Sequence, residues 1–139
     1  MTAQRTDTII INKDEHKMYG LPLEQYWMQN DNKPPLFSMT TSLNRGYYAK
    51  WLIENNKLFL IDFYGECLLP PPIKEYSLID LFPSAKGKVF AEWFTGDIII
   101  PMGKQVNYFH GGWGATHEYS TTIKFCDGLI IDSGSFVTE

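Results

Sequence analysis

The sequence predicts a mainly β protein, in which hairpins build an antiparallel sheet or flattened barrel of about seven to nine strands with one to three short helices. Two dipeptides carry this prediction. Asn55-Asn56 and Asp127-Gly128 each lie between strand-like runs, and both suit the two-residue type I′ turn that joins antiparallel strands. Aromatic residues make up 15% of the chain, which favours a β-rich core. We expect residues 1–139 to form a single domain.

The first of these hairpins covers residues 45–64. A two-residue turn at Asn55-Asn56 places Glu54 opposite Lys57 and Trp51 opposite Leu60. Both faces of the hairpin are mostly apolar, which predicts a position in the interior of the sheet with Trp51 in the core. One predicted face consists of Tyr47, Ala49, Trp51, Ile53, Leu58 and Leu60, and the other of Tyr48, Leu52, Phe59, Ile61 and Phe63.

Weaker patterns predict the remaining elements. Proline at position 22 suits the first turn of a short helix over residues 23–28, and Ser77 suits the N-cap of one helical turn over residues 77–82. Three consecutive prolines make residues 65–76 a stiff, extended connector. The predicted strands are 8–11, 37–43, 116–126 and 129–137, while residues 12–16 and 31–35 have the polar composition of a turn and a loop.

The stretch 89–118 contains the most unusual part of the chain. The spacing of Val89, Phe90, Trp93 and Phe94 predicts the apolar face of one helical turn, with Trp93 in the core and Gly96 ending the turn. Strands are predicted over residues 97–100 and 106–110, joined by a type I turn at residues 100–103.

A glycine-rich loop follows, and it is the candidate binding site. Three glycines surround one tryptophan, and such a loop lets a partner or ligand approach the backbone closely while aromatic side chains supply contact area. The alternative is ordinary turn geometry, in which Trp113 folds back over the sheet and closes the core. The candidate binding residues are Tyr108, His110, Gly111, Gly112, Trp113, His117 and Glu118.

Charge and composition restrict the partners. Sixteen acidic and twelve basic side chains give a net charge of −4, and no basic run occurs, which argues against binding of nucleic acid or of anionic membranes. A basic protein partner remains compatible with this charge. No apolar run approaches the ~20 residues of a membrane span, and residues 1–7 lack an apolar signal core. We therefore expect a cytoplasmic protein with Cys67 and Cys126 reduced.

No catalytic motif is evident in the sequence. His110 and His117 are the best candidates for metal binding or for acid–base chemistry, but they supply only two ligands. Glu118 is a poor third ligand because neighbouring residues of a strand point to opposite faces. Catalytic zinc needs three protein ligands and structural zinc needs four. We expect no cofactor and no tightly bound metal, and the sequence leaves the oligomeric state open.

The chain resembles a family of small stand-alone bacterial proteins without an assigned activity. Four motifs carry this resemblance, at residues 46–51 (GYYAKW), 81–83 (LFP), 89–96 (VFAEWFTG) and 108–112 (YFHGG). The resemblance implies a bacterial cytoplasmic domain and supplies no active-site residues. Some small proteins of this type are immunity proteins encoded beside toxins, which is an analogy of size and type.

Three functions follow as hypotheses. The first is a non-enzymatic binding protein, an immunity-type inhibitor or another protein-interaction module, with a partner such as a cognate toxin. The second is a small metal-dependent or acid–base enzyme centred on His110 and His117. The third is a small-ligand binder that uses a cavity in the β structure.

Overall fold

The computed structural model describes residues 6–36, 45–67, 74–108 and 115–132, with residues 102–108 and 115–120 described by their backbone alone. This part of the chain forms nine strands and two helices. In chain order they are β1 (Asp7–Ile11), β2 (Asp14–Met18), α1 (Pro22–Asn30), β3 (Tyr47–Glu54), β4 (Lys57–Cys67), β5 (Lys74–Ser77), α2 (Leu78–Leu81), β6 (Val89–Phe90), β7 (Gly96–Tyr108), β8 (Ala115–Cys126) and β9 (Leu129–Asp132).

The strands form one sheet that nearly closes into a barrel, as the sequence predicted. The sheet order is β2-β1-β3-β4-β9-β8-β7, and β5 and β6 also pair with β4. Tyr19, which follows β2, exchanges two backbone hydrogen bonds with Ile99 of β7, with N–O distances of 2.7 and 3.1 Å, and so brings the two ends of the sheet together. Among the described pairs, only β1 and β3 run parallel, because the chain crosses over through α1 between them.

The β3–β4 hairpin has the predicted turn and register. Asn55 and Asn56 have φ angles of 54° and 61°, as a type I′ turn requires. Glu54 pairs with Lys57, and Trp51 pairs with Leu60. The predicted face of Phe63 is wrong, because Phe63 is only 3% exposed and is buried in the core with Tyr47 and Trp51, which were assigned to the other face. Because Lys50 pairs with Asp62 while Trp51 pairs with Leu60, Ile61 is the extra residue of a β-bulge, and the bulge turns Phe63 inward.

The hairpin at Asp127-Gly128 is confirmed as well, with φ angles of 51° and 78°. A third hairpin of the same kind joins β1 to β2 through Asn12 and Lys13, whose φ angles are 52° and 73°. The prediction of a polar turn over residues 12–16 is therefore too long, since β2 begins at Asp14. The side chains of β2 are mostly polar and exposed, so this strand carries no apolar alternation that would reveal it.

The predicted helical turn over residues 89–94 is wrong. Val89 and Phe90 form β6 and pair with Leu60 and Phe59 of β4. Strand pairing replaces the helix because β4 offers a backbone edge at this position, whereas a single helical turn is weak by itself. The chain turns after β6, so that Phe94 is buried while Trp93 packs against the core only in part.

The predicted turn at residues 100–103 is also wrong, because β7 continues without a break from Gly96 to Tyr108. Pro101 lies within this strand, opposite Ser120 of β8. The N–H of Ile99 bonds to Tyr19, on the side of β7 that faces away from β8. The nitrogen of Pro101, two residues further on, faces the same side, so its missing N–H removes no bond to β8.

Both predicted helices are present. Pro22 begins α1, and α2 carries a capping box in which the N–H of Ser77 donates to Oδ2 of Asp80 at 2.7 Å. The predicted strand 37–43, the three prolines of the connector and the end of the predicted strand 129–137 lie outside the described residues. In the described part of the chain, no helix is long and apolar enough to cross a membrane.

One contiguous core fills the sheet. Trp51 is completely buried, which confirms its predicted place, and so is Tyr47 beside it. The other large core residues with no exposed surface are Ile9, Met18, Leu23, Leu58, Leu60, Ile98, Ile100 and Ile123.

Gly128 occupies the most crowded turn. Its N–H donates to the carbonyl of Phe94, and a Cβ atom at this position would lie 2.5 Å from the carbonyl oxygen of Ala91. Gly87 also has a positive φ, but a Cβ there would meet nothing within 4 Å. We therefore expect Gly128→Ala to cost about 1–2 kcal/mol more unfolding free energy than Gly87→Ala, because only the first adds a clash to the strained φ. Urea denaturation of both variants measures this difference, and equal losses would contradict the packing at Gly128.

Candidate functional site

The β7–β8 hairpin extends beyond the rest of the described sheet. The first residue pair of this hairpin is Gly96 with Phe125, and the last is Tyr108 with Ala115. In the described residues, β8 pairs with β9 only from position 124 onward, and β7 bonds to the other end of the sheet only at Ile99. We call residues 102–108 and 115–119, the distal pairs of this hairpin, the arm. The arm pairs only with itself in the part of the chain that the structure describes.

Three of the seven predicted site residues lie on the arm. Tyr108 ends β7 opposite Ala115, His117 pairs with Gln105, and Glu118 follows His117 in β8. The other four, His110, Gly111, Gly112 and Trp113, belong to the connection at the far end of the arm and lie outside the described residues. The described backbone therefore brings Tyr108, His117 and Glu118 together on one hairpin.

The arm is irregular along its length. The register shifts between Met102 and Gln105 and again between Gln105 and Asn107. Each shift adds an unpaired residue to β7 and increases the local twist of the backbone. Such bulges are common beside binding and catalytic sites.

The buried carboxylate of Asp7 links β1 to β3, in a part of the barrel away from the arm. Asp7 has no exposed surface and accepts three hydrogen bonds, from Nη2 of Arg45 at 2.8 Å, from the N–H of Ala49 at 3.0 Å and from Nε1 of Trp51 at 3.1 Å. Burial raises the pKa of Asp7 above its ordinary value, while the charge of Arg45 and the donated hydrogen bonds act in the opposite direction. Because protein groups satisfy both oxygens, Asp7 has a structural role and joins β1 to β3.

A second polar contact holds α1 against one end of the barrel. The Tyr47 hydroxyl donates to Oε2 of Glu24 at 2.6 Å, and Nζ of Lys33 lies 3.2 Å from the same carboxylate. Lys33 also lies over the rings of Trp27 and Tyr47, at 5.2 and 5.8 Å from their centroids. Burial raises the pKa of Tyr47, and the negative charges of Asp7 and Glu24 add to the effect, so the hydroxyl stays a donor.

The other flank of α1 is fixed to the segment that follows β6. The amide of Gln25 donates to the carbonyl of Thr95 at 3.0 Å and accepts from its N–H at 2.7 Å. The indole N–H of Trp93 donates to the carbonyl of Pro22 at 3.0 Å. Its ring stacks on Phe82, with centroids 5.8 Å apart and an interplanar angle of 9°. These contacts fix α1 in relation to α2.

A cleft of about 280 Å³ lies between α1, β5 and α2, and we call it the helix cleft. The residues that line it include Tyr26, Trp27, Asn32, Lys74, Glu75, Tyr76 and Asp80. The side chain of Trp27 is only 4% exposed, and its indole N–H has no acceptor among the described residues. No sequence pattern indicates this cleft, which lies beside the helices and not within the β structure.

The described residues contain no group of three or more His, Cys, Asp or Glu side chains placed to hold a metal ion. Cys67 is buried and Cys126 is exposed, both as thiols. In comparisons with known proteins, no family model, no curated protein and no solved structure matches this chain.

Proposed function

We propose that this chain is a cytoplasmic, non-enzymatic binding protein, and specifically an immunity-type inhibitor. Its arm recognises one protein partner, such as a cognate toxin. The observation that carries the proposal is that, among the described residues, β7 and β8 extend past their other strand partners. A hairpin that extends past its neighbouring strands offers backbone groups to a partner by strand addition.

The chemistry of the arm and of its connection suits protein recognition. Tyrosine and tryptophan, present as Tyr108 and Trp113, are among the side chains that dominate binding energy at protein interfaces. The net charge of −4 favours a partner with a basic surface, because opposite charges accelerate association. The resemblance to small stand-alone bacterial proteins adds the expectation that a gene for the partner lies beside the gene for this chain.

We expect Trp113→Ala to weaken binding of the protein encoded by that neighbouring gene by about 2 kcal/mol or more, which is roughly thirtyfold in Kd. The thermal midpoint should stay nearly unchanged, because an anchor residue projects away from the core. Isothermal titration calorimetry and a thermal melt of the same variant measure the two quantities.

Met28→Ala provides the matched control for this experiment. Met28 is a large apolar side chain on α1 that is 83% exposed, so it tests whether loss of any surface apolar group weakens the complex. We expect its Kd and its midpoint to equal those of the unaltered protein. A fall of several degrees in the midpoint of Trp113→Ala would instead show that Trp113 closes the core, and the proposed anchor would be withdrawn.

A further inference from the structure

We propose that the helix cleft is a second interaction surface, in which β5 takes up an extended peptide segment of another protein as an added strand. The proposal rests on β5, α1 and α2, all outside the arm, and is independent of the partner of the arm. Two features carry it. The cleft follows the edge of β5 that faces away from β4, and this edge holds a backbone donor and acceptor without a partner among the described residues.

The residues that line the cleft show that it follows a strand edge. Lys74, Glu75 and Tyr76, three consecutive residues of β5, all line it. Consecutive side chains of a strand point to opposite faces of the sheet, so a cleft over one face is lined by alternate residues. A cleft that meets all three lies along the edge of the strand, where the backbone is within reach. Among the described residues, β5 pairs only with β4, on its other edge.

The register between β4 and β5 determines which backbone groups face away from β4. The N–H of Glu66 donates to the carbonyl of Gly46 at 2.9 Å, on the β3 side of β4. Glu66 and its partner Glu75 are therefore a non-hydrogen-bonded pair of the β4–β5 ladder, in which the N–H and C=O groups of both residues point away from each other. The N–H of Ser77, two residues further along β5, points in the same direction, since it donates to Oδ2 of Asp80 at 2.7 Å.

The backbone of Glu75 consequently offers a donor and an acceptor on the edge that follows the cleft. Neither its N–H nor its C=O bonds to another described residue. An extended chain presents the same two groups from every second residue, so it can exchange two hydrogen bonds with Glu75 as a neighbouring strand does. Such strand addition supplies affinity through the main chain. Since Asp80 already occupies the N–H of Ser77, Glu75 is the described residue with which the added strand pairs.

The other residues of the cleft suit an apolar side chain of the added segment. The cleft is also lined by Tyr26 and Trp27 of α1, by Pro34 of the loop after it and by Leu81 of α2. Aromatic rings and aliphatic groups of this kind give an apolar side chain a surface to pack against. Because successive side chains of a strand alternate in direction, every second residue of the segment can reach this surface. We therefore expect a short segment with apolar residues at alternating positions.

The test begins with peptides selected on the full chain from a phage library of random linear sequences. The Kd of each synthetic peptide is measured by calorimetry, together with the Kd of versions methylated at one backbone nitrogen each. We expect methylation of the residue that pairs with Glu75 to weaken binding by at least about tenfold. Methylation of either neighbour, whose N–H points away from β5, should change Kd by less than about twofold. Failure to recover a peptide with a Kd below about 100 μM would overturn the proposal, and so would equal effects at neighbouring positions.

Two variants of Glu75 locate the added strand. Glu75→Pro and Glu75→Ala both remove the carboxylate, but only proline removes the backbone N–H, and this N–H makes no bond to β4. We expect the peptide to bind Glu75→Pro at least about tenfold more weakly than Glu75→Ala. Hydrogen exchange in the unaltered chain is an independent measurement, in which saturating peptide should slow exchange of the Glu75 amide by at least about tenfold. Equal binding to the two folded variants, or an unchanged exchange rate at Glu75, would place the peptide elsewhere and overturn the assignment.

Discussion

Asp7→Ala is expected to lower the free energy of unfolding by about 3–5 kcal/mol, the range for breaking a buried ion pair by removing one partner. The alanine leaves the guanidinium of Arg45, whose side chain is only 14% exposed, without its carboxylate. It also removes the acceptor of the Trp51 indole N–H and of the Ala49 N–H. Urea denaturation followed by circular dichroism measures the loss.

Asp14→Ala is the matched control, because Asp14 is an exposed aspartate in β2. We expect it to change stability by no more than about 0.5 kcal/mol, as surface substitutions usually do. If Asp7→Ala cost no more than Asp14→Ala, the Asp7–Arg45 pair would be an exposed contact in solution, and the buried junction between β1 and β3 would be wrong.

Trp51→Ala is expected to cost about 3–5 kcal/mol as well, because it removes the largest completely buried side chain of the described core. Trp93→Ala provides the comparison. Trp93 is only partly buried, at the surface of the same core, so we expect its loss to be clearly smaller. Denaturant melts of the two variants measure the difference, and a Trp93→Ala loss equal to that of Trp51→Ala would contradict the burial of the two rings.

Trp51→Phe separates packing from hydrogen bonding. It keeps an aromatic ring in the core but removes the donor to Asp7. Since Asp7 and Trp51 are bonded to each other, their effects should not add, and the double variant Asp7→Ala, Trp51→Phe should lose less stability than the sum of the two single losses.

Local turn chemistry explains which parts of the fold the sequence could predict. Asn55-Asn56 and Asp127-Gly128 favour positive φ angles at neighbouring positions, and that preference specifies a hairpin and its register with no information from elsewhere. Pro22 and Ser77 likewise mark the starts of the two helices through local backbone chemistry.

The wrong predictions occur where a distant strand decides the structure. The pair Val89-Phe90 becomes a strand because β4 accepts it, and Pro101 stays within β7 because its nitrogen faces away from β8. The inward turn of Phe63 depends on a bulge opposite β3, which the alternation of side chains does not reveal. Such effects depend on tertiary pairing, and pairing partners cannot be read from a local window.

The candidate sites likewise depend partly on local sequence and partly on tertiary pairing. The predicted strands 106–110 and 116–126 overlap the arm only in part, because a turn was predicted at residues 100–103. The extension of the arm past the other described strands was not predicted, because it depends on where β9 and Tyr19 pair. The helix cleft was not predictable, because Trp27, Lys74 and Asp80 come from three elements separated along the chain. An unsatisfied indole N–H becomes visible only when the packing around it is known.

The arm offers the most direct test of the proposed function. Because Met102 pairs with Tyr119, residues 103–118 can be replaced by Asn-Gly to give a short hairpin with a two-residue turn. The measurement is the Kd of this variant for the protein encoded by the neighbouring gene, with a thermal melt to show that the barrel remains folded. We predict a midpoint close to that of the unaltered protein and a Kd weakened by more than about a hundredfold. A folded variant that binds the partner with unchanged Kd would contradict recognition through the arm.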